Sequence, residues 1–225
     1  NRRPFARAVA VGLVAGYFLR GNRLKGATMS LDQPAGRQPD HPVAPQFPGR
    51  WSPRSFTDRA LSEAEVMSLL EAARWAPSAS NHQPWRLVWA LRGEAAFEAI
   101  FACLTGNNPL WAGKAAVLFA VVSKDTVTNR EGAEARNRTA GFDTGAAWMS
   151  LALQAEAMGL AAHAMGGFDV DRLAAAIHLP EGRTLHCVVA VGEQGSADAL
   201  PDALREREKP SGRKPLEEIA RRGRL

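Results

Sequence analysis

A-P-S-A-S-N-H-Q-P-W-R-L-V-W-A-L, residues 76–91, carries the chain from a helix into a strand through a loop rich in amides. Upstream, S-E-A-E at 62–65 forms a capping box, with Glu65 three residues after Ser62. Val66, Leu69, Leu70 and Ala73 then recur at helical spacing, and Pro77 ends the run. Downstream, Trp85 to Leu91 read as a strand. Within the loop, Asn81 and Gln83 carry side-chain amides that donate and accept at once, which suits a heteroaromatic ring edge. Pro84 fixes the exit and Trp85 anchors the strand. Taken alone, the loop is better read as a structured turn.

Working outward, a helix is expected over Ala95 to Leu104 and a turn at Asn107-Asn108-Pro109. Ala115 to Val122 is a continuous apolar run of strand length, the pattern of a central strand. Lys124 to Thr139 is polar and irregular and reads as a mobile loop. A long helix follows from Gly141, with Phe142, Ala146, Met149, Leu153 and Ala157 spaced by three and four. Trp148, Leu151 and Ala152 fill its other faces. A helix apolar on most sides belongs in a core or a subunit interface. Gly159 is its expected C-cap. A strand over Ala161 to Met165, a helix opened by Asp169 or Asp171 and closed before Pro180, and a strand over Leu185 to Gly192 complete the series. The tail from Leu200 reads as charged and extended, then helical from Leu216. The whole is α+β: a mostly antiparallel central sheet flanked by helices.

The chain has 225 residues and a net charge of +5. Residues 1–28 hold six basic residues and no acidic ones, leaving the remainder at −1. The charge therefore argues against nucleic-acid binding by the domain. Arginines followed by the apolar run Ala8 to Leu19 resemble an export signal, but twelve residues are too few to span a bilayer. We read 1–28 as an upstream basic and apolar extension outside the fold, with a membrane-surface anchor as the alternative. Residues 29–46 form a proline-rich arm, and 47–225 the folded domain. Cys103 and Cys187 lie in apolar stretches with no metal spacing, which fits a cytoplasmic protein.

The chain has no G-x-G-x-x-G, no Walker phosphate loop, no H-E-x-x-H and no G-x-S-x-G. No two histidines stand at metal-ligand spacing. What remains is polar groups at element ends. R-W-S-P-R at 50–54 offers two guanidiniums and a hydroxyl that can grip an anion. M-G-G-F-D at 165–169 has paired glycines that let backbone lie flat against a ligand. S-G-R-K-P at 211–215 supplies a basic pair late in the chain. Each has a plainer explanation in isolation: a surface ion pair, a turn, a solvated basic pair.

Together with the 76–85 loop, their order and spacing resemble the nitroreductase family over roughly residues 47–220. The resemblance implies a nitroreductase-like α/β sandwich that dimerises, with two flavin mononucleotide (FMN) sites at the subunit interface. It assigns FMN contacts to Arg50, Trp51, Ser52 and Arg54; to Ser78, Asn81 and Gln83; to Met165, Gly166 and Gly167; and to Arg213. Some family members carry glutamate where Gly166 stands here, and others carry glycine.

The activity so implied is hydride transfer from NADPH or NADH, through flavin, to nitroaromatic, quinone or similar small-molecule acceptors in ping-pong fashion. No side chain is assigned as catalytic acid or base; Arg54 gives electrostatic support near the pyrimidine edge of the ring. The partner expected is a second copy of the chain, with no nucleic acid; membrane association is not expected, export or a membrane anchor through residues 1–28 being the alternative. The alternatives are a same-fold flavoenzyme of dehalogenating or flavin-fragmenting type, and a non-catalytic flavin-binding redox sensor.

Overall fold

The computed structural model describes residues 37–128 and 131–224. The readings of 1–28 and of the first part of the proline-rich arm lie outside these residues. Helix α1 (Gln46–Gly49) is a single turn, and α2 (Glu63–Arg74) follows. The Ser62–Glu65 capping box is present in both directions, so two orphan amides of the first turn of α2 are satisfied reciprocally.

The remaining elements are β1 (Trp85–Leu91), α3 (Ala95–Phe101), β2 (Val117–Lys124), β3 (Thr126–Thr128), β4 (Glu134–Arg136), α4 (Ala140–Ala157), β5 (Ala161–Met165), α5 (Val170–Ala176), β6 (Arg183–Gly192), α6 (Asp202–Arg205) and α7 (Leu216–Ile219). The main sheet runs β1-β2-β6-β5, and every neighbouring pair is antiparallel. The fold is α+β, as expected.

Strand β2 is central because both of its faces are covered. Leu118 and Ala120 point to one side, where they join Phe97, Ile100, Leu173, Val188 and Ala190. Val117, Phe119 and Val121 point to the other, where they join Val66, Leu69, Leu151, Val189 and Val191. Alternate residues thus supply two cores, which is why the run has no polar face to show. Pairings such as Val117 with Val191 and Phe119 with Val189 hold the register as far as a bulge at Val121/Val122.

Helix α4 presents Ala147, Leu151 and Ala155 to the second core. The apolar stripe singled out in its sequence faces the other way: Phe142 is 83% exposed, Ala157 is exposed, and Ala146, Met149 and Leu153 are half-covered. Met158 caps the helix and Gly159 follows at φ +71°, the left-handed turn that favours glycine.

Three expectations change. Residues 124–139 contain the hairpin β3–β4, with Thr126 opposite Arg136 and Thr128 opposite Glu134, rather than an irregular loop. Helix α3 ends at Phe101, and its last carbonyls take bonds from Ala102, Cys103 and Leu104 in a tightened turn. The early tail contains α6, whose Leu204 is buried in the first core.

Replacing Leu151 by alanine removes a fully buried side chain at the α4 contact with the sheet. We expect a loss of about 2–5 kcal/mol in denaturant unfolding, against little change for a substitution at exposed Met67.

Candidate functional site

The segment 50–54 leaves α1 and runs beside the exit of β6. Phe56 bridges to Gln194, the Thr57 amide donates to the Glu193 carbonyl at 2.9 Å, and the Gly195 amide donates to the Ser55 carbonyl at 2.9 Å. The tail then returns to the same place. The Glu208 carboxylate accepts the amides of Arg54 at 2.5 Å and Ser55 at 2.9 Å, and Arg54 Nη1 lies 3.4 Å away. The Glu208 side chain is 2% exposed. A buried carboxylate is costly unless hydrogen-bonded, and here two backbone donors and a guanidinium meet it.

These segments line a cavity of about 290 Å³. Five residues expected at the site converge on it: Arg50, Trp51, Ser52, Arg54 and Arg213. Five more line it that the sequence reading missed: Arg37, His163, Arg207, Lys209 and Ser211. Six of these ten are cationic, a donor set suited to a phosphate. Ligand pockets commonly hold about 300–1,000 Å³, so one chain encloses room for an anionic end and little more.

Burial lowers the pKa of Arg50, and Arg213 lowers it further. Glu156 on α4 opposes this. Its own carboxyl is pushed up by burial and pulled back by Arg50 and Arg37. Gly49 admits this carboxylate, since a Cβ there would stand 2.7 Å from Glu156 Oε1. On β5, His163 Nδ1 donates to the Pro53 carbonyl at 2.9 Å, and its ring packs 4.6 Å from Trp111. Burial holds the His163 pKa below the usual histidine range.

The loop with Ser78, Asn81 and Gln83 is not part of this cavity. It stands on the surface between α2 and β1, with φ of +48° at Ser80, +56° at Asn81 and +48° at Gln83. Left-handed backbone at non-glycine residues is strained and persists only when held from several sides. Ser78 Oγ accepts the Gln83 amide at 2.9 Å, and Gln83 Nε2 donates to Asn81 Oδ1 at 3.0 Å. From α4, buried Asp143 accepts the Ala79 amide at 3.2 Å and the Thr139 hydroxyl at 2.8 Å.

Met165, Gly166 and Gly167 follow His163 along β5 but do not line the cavity. Met165 as a whole is 2% exposed and belongs to the first core, so it presents no side chain to a ligand. Gly166 has open space where a Cβ would stand. At Gly167 a Cβ would meet Asn108 Nδ2 at 2.8 Å, and the Gly167 carbonyl takes bonds from Thr105 and Asn108.

The nitroreductase family model matches residues 48–109 and 94–193. The chain belongs to the nitroreductase family. Among solved structures, an oxidoreductase containing FMN is 43% identical, with a TM-score of 0.82, over 84% of this chain and 96% of that one. A Mycolicibacterium smegmatis protein is 42% identical over 96 residues, 42% of this chain. The match spans 65% of that relative, under two thirds of its length. An NADH dehydrogenase of Thermus thermophilus is 28% identical over 76% of this chain and 90% of its own.

Within this nitroreductase-family chain, Arg207, Lys209 and Ser211 had a signal in the sequence, the basic run around Arg213. Arg37 and His163 had none, because each is placed by a long-range backbone carbonyl. Among the described residues, no helix is long and apolar enough to cross a membrane and no metal-binding cluster occurs.

Replacing Glu208 with alanine should cost about 2–3 kcal/mol of stability, measured by denaturant unfolding, because two buried amides lose a charged acceptor. The glutamine variant should recover part of it. The depressed His163 and His186 favour neutral imidazole in the fold. Between the unfolded pKa of about 6.5 and the lower folded values, the unfolded chain binds more protons. Stability present above about pH 6.5 is therefore lost as pH falls below it through the lower folded values. A melting series over that range should show it, and His163→Gln should flatten it.

Proposed function

We propose that the chain is an FMN-dependent oxidoreductase that accepts reducing equivalents from NADH or NADPH and passes them to nitroaromatic, quinone or similar acceptors. One observation carries the reading: the R-x-S-x-R segment and the basic tail converge on one cation-rich cavity in a chain of this family. The FMN named for the 43% identical oxidoreductase and the NADH dehydrogenase from Thermus thermophilus support the cofactor and the donor. When bound, FMN supplies the two-electron chemistry, so no side-chain acid or base is needed.

The protein's residues bind and orient. Arg50 and Arg213 neutralise the phosphate, and the Ser52 hydroxyl adds a donor. Arg54 is held by Glu208 with its guanidinium at the cavity wall, where it places positive charge beside the pyrimidine edge of the ring. Gly166 leaves the approach to the ring clear of a side chain.

The rest of the site comes from a second copy of this chain. Two features support a homodimer: the exposed stripe of α4 headed by Phe142, and the preformed 78–83 loop lying outside its own chain's cavity. In this reading Ser78, Asn81 and Gln83 contact flavin across the interface. The unpaired thiols Cys103 and Cys187 accord with a reducing cytoplasm.

Purified protein should be yellow, have the mass of two chains, and lose its flavin absorbance when NADH or NADPH is added without oxygen. Bound flavin that neither donor bleaches would point to another flavin chemistry; colourless protein that takes up no FMN would end the reading. Arg54→Ala should slow bleaching on the order of 100-fold. Phe142→Glu should give single chains with reduced flavin content.

A further inference from the structure

Arg37 lies ahead of the domain as read from sequence, yet it is 8% exposed and lines the cavity. Its Nε donates to the Ser211 carbonyl at 3.0 Å. Its Nη1 donates to the carbonyls of Pro48 at 2.9 Å and Arg50 at 2.6 Å. These three acceptors are neutral. Its other terminal nitrogen has no hydrogen-bond partner among the described residues.

Nor does Arg37, Arg50 or Arg213 form an ion pair among the described residues. The three guanidiniums instead act on one another: Arg213 and Arg50 both disfavour the charge on Arg37. Among the described residues, Glu156 offsets them, acting on Arg37 and Arg50 from beyond ion-pair distance. Burying a guanidinium among like charges is unfavourable unless an anion completes the group. Three guanidiniums against one carboxylate, with Arg207 and Lys209 lining the same cavity, leave a surplus of at least two positive charges. A phosphate monoester carries about −1.5 to −2 at neutral pH.

We propose that Arg37 is a third guanidinium of the phosphate subsite, binding the FMN phosphate together with Arg50 and Arg213. The inference rests on the FMN reading above. It gives the arm before the domain a binding role and joins that arm to the tail through the Ser211 carbonyl. The competing explanation is a strap: Arg37 would only tie arm to tail, and its loss would disturb every ligand alike.

Riboflavin lacks the phosphate and separates the two. Affinities of the full chain for FMN and riboflavin, by quenching of flavin fluorescence, should be compared for wild type, Arg37→Gln and Arg37→Lys. Arg37→Gln should weaken FMN roughly 10- to 100-fold, the worth of one charged hydrogen bond or pair of them, and leave riboflavin unchanged. Arg37→Lys should retain part of the preference. Equal loss for both flavins, or none for either, overturns the proposal. If Arg37→Gln does not fold, an unchanged FMN-to-riboflavin ratio in Arg37→Lys overturns it as well. Wild type that binds neither flavin would defeat the FMN reading separately. Inorganic phosphate then judges Arg37: a rise in melting temperature that Arg37→Gln and Arg37→Lys both diminish supports an anion subsite, and no rise overturns it.

Discussion

Glu208 and the two amides it receives, those of Arg54 and Ser55, join the ends of the described chain. The bond pair matters because neither segment has much regular structure of its own. The R-x-S-x-R segment follows a single helical turn, and the tail around Glu208 has only α6 and α7 for regular structure. A carboxylate sealed from water must keep its donors or bear the cost of desolvation. That requirement holds the Arg54 backbone in one place and brings Arg207, Lys209 and Arg213 to the same cavity. His163 acts from beneath the sheet's end in a similar manner, through the carbonyl of Pro53.

The electrostatics of the cavity follow from this assembly. Glu208 is committed to Arg54 and the amides, and among the described residues Glu156 is the carboxylate that acts on Arg37 and Arg50. The surplus of positive charge is thus a product of which acids the fold spends elsewhere. It explains how a domain near neutral overall can present a strongly cationic site. Net charge alone, which the N-terminal extension dominates, would have misplaced that signal.

The 78–83 loop shows a different economy. Its left-handed residues are kept in place by bonds within the loop and by Asp143 from α4, so the amides of Asn81 and Gln83 are positioned in advance. The same helix supplies Leu151 to the core, the charge of Glu156 opposite Arg37 and Arg50, and Phe142 to the surface. One helix thereby couples packing, electrostatics and the face assigned to the second chain.

Local physics is legible in the residues themselves. The capping box at Ser62, the continuous apolar run of β2, the glycine cap at Gly159 and the cap at Asp169 each act within a few positions, so the α+β architecture and most element bounds could be read directly. The motif spacing also pointed to Arg50, Ser52, Arg54 and Arg213. The hairpin at 126–136 escaped because its residues are polar and its strands three residues long, too short for alternation to register. Only tertiary contact could place Arg37, one of whose three acceptors lies 174 residues away, or make Glu208 a buried clamp rather than one more charge in an acidic and basic tail. Side chains that bind backbone carbonyls and amides impose no pattern on the partner's sequence, because every residue carries those groups.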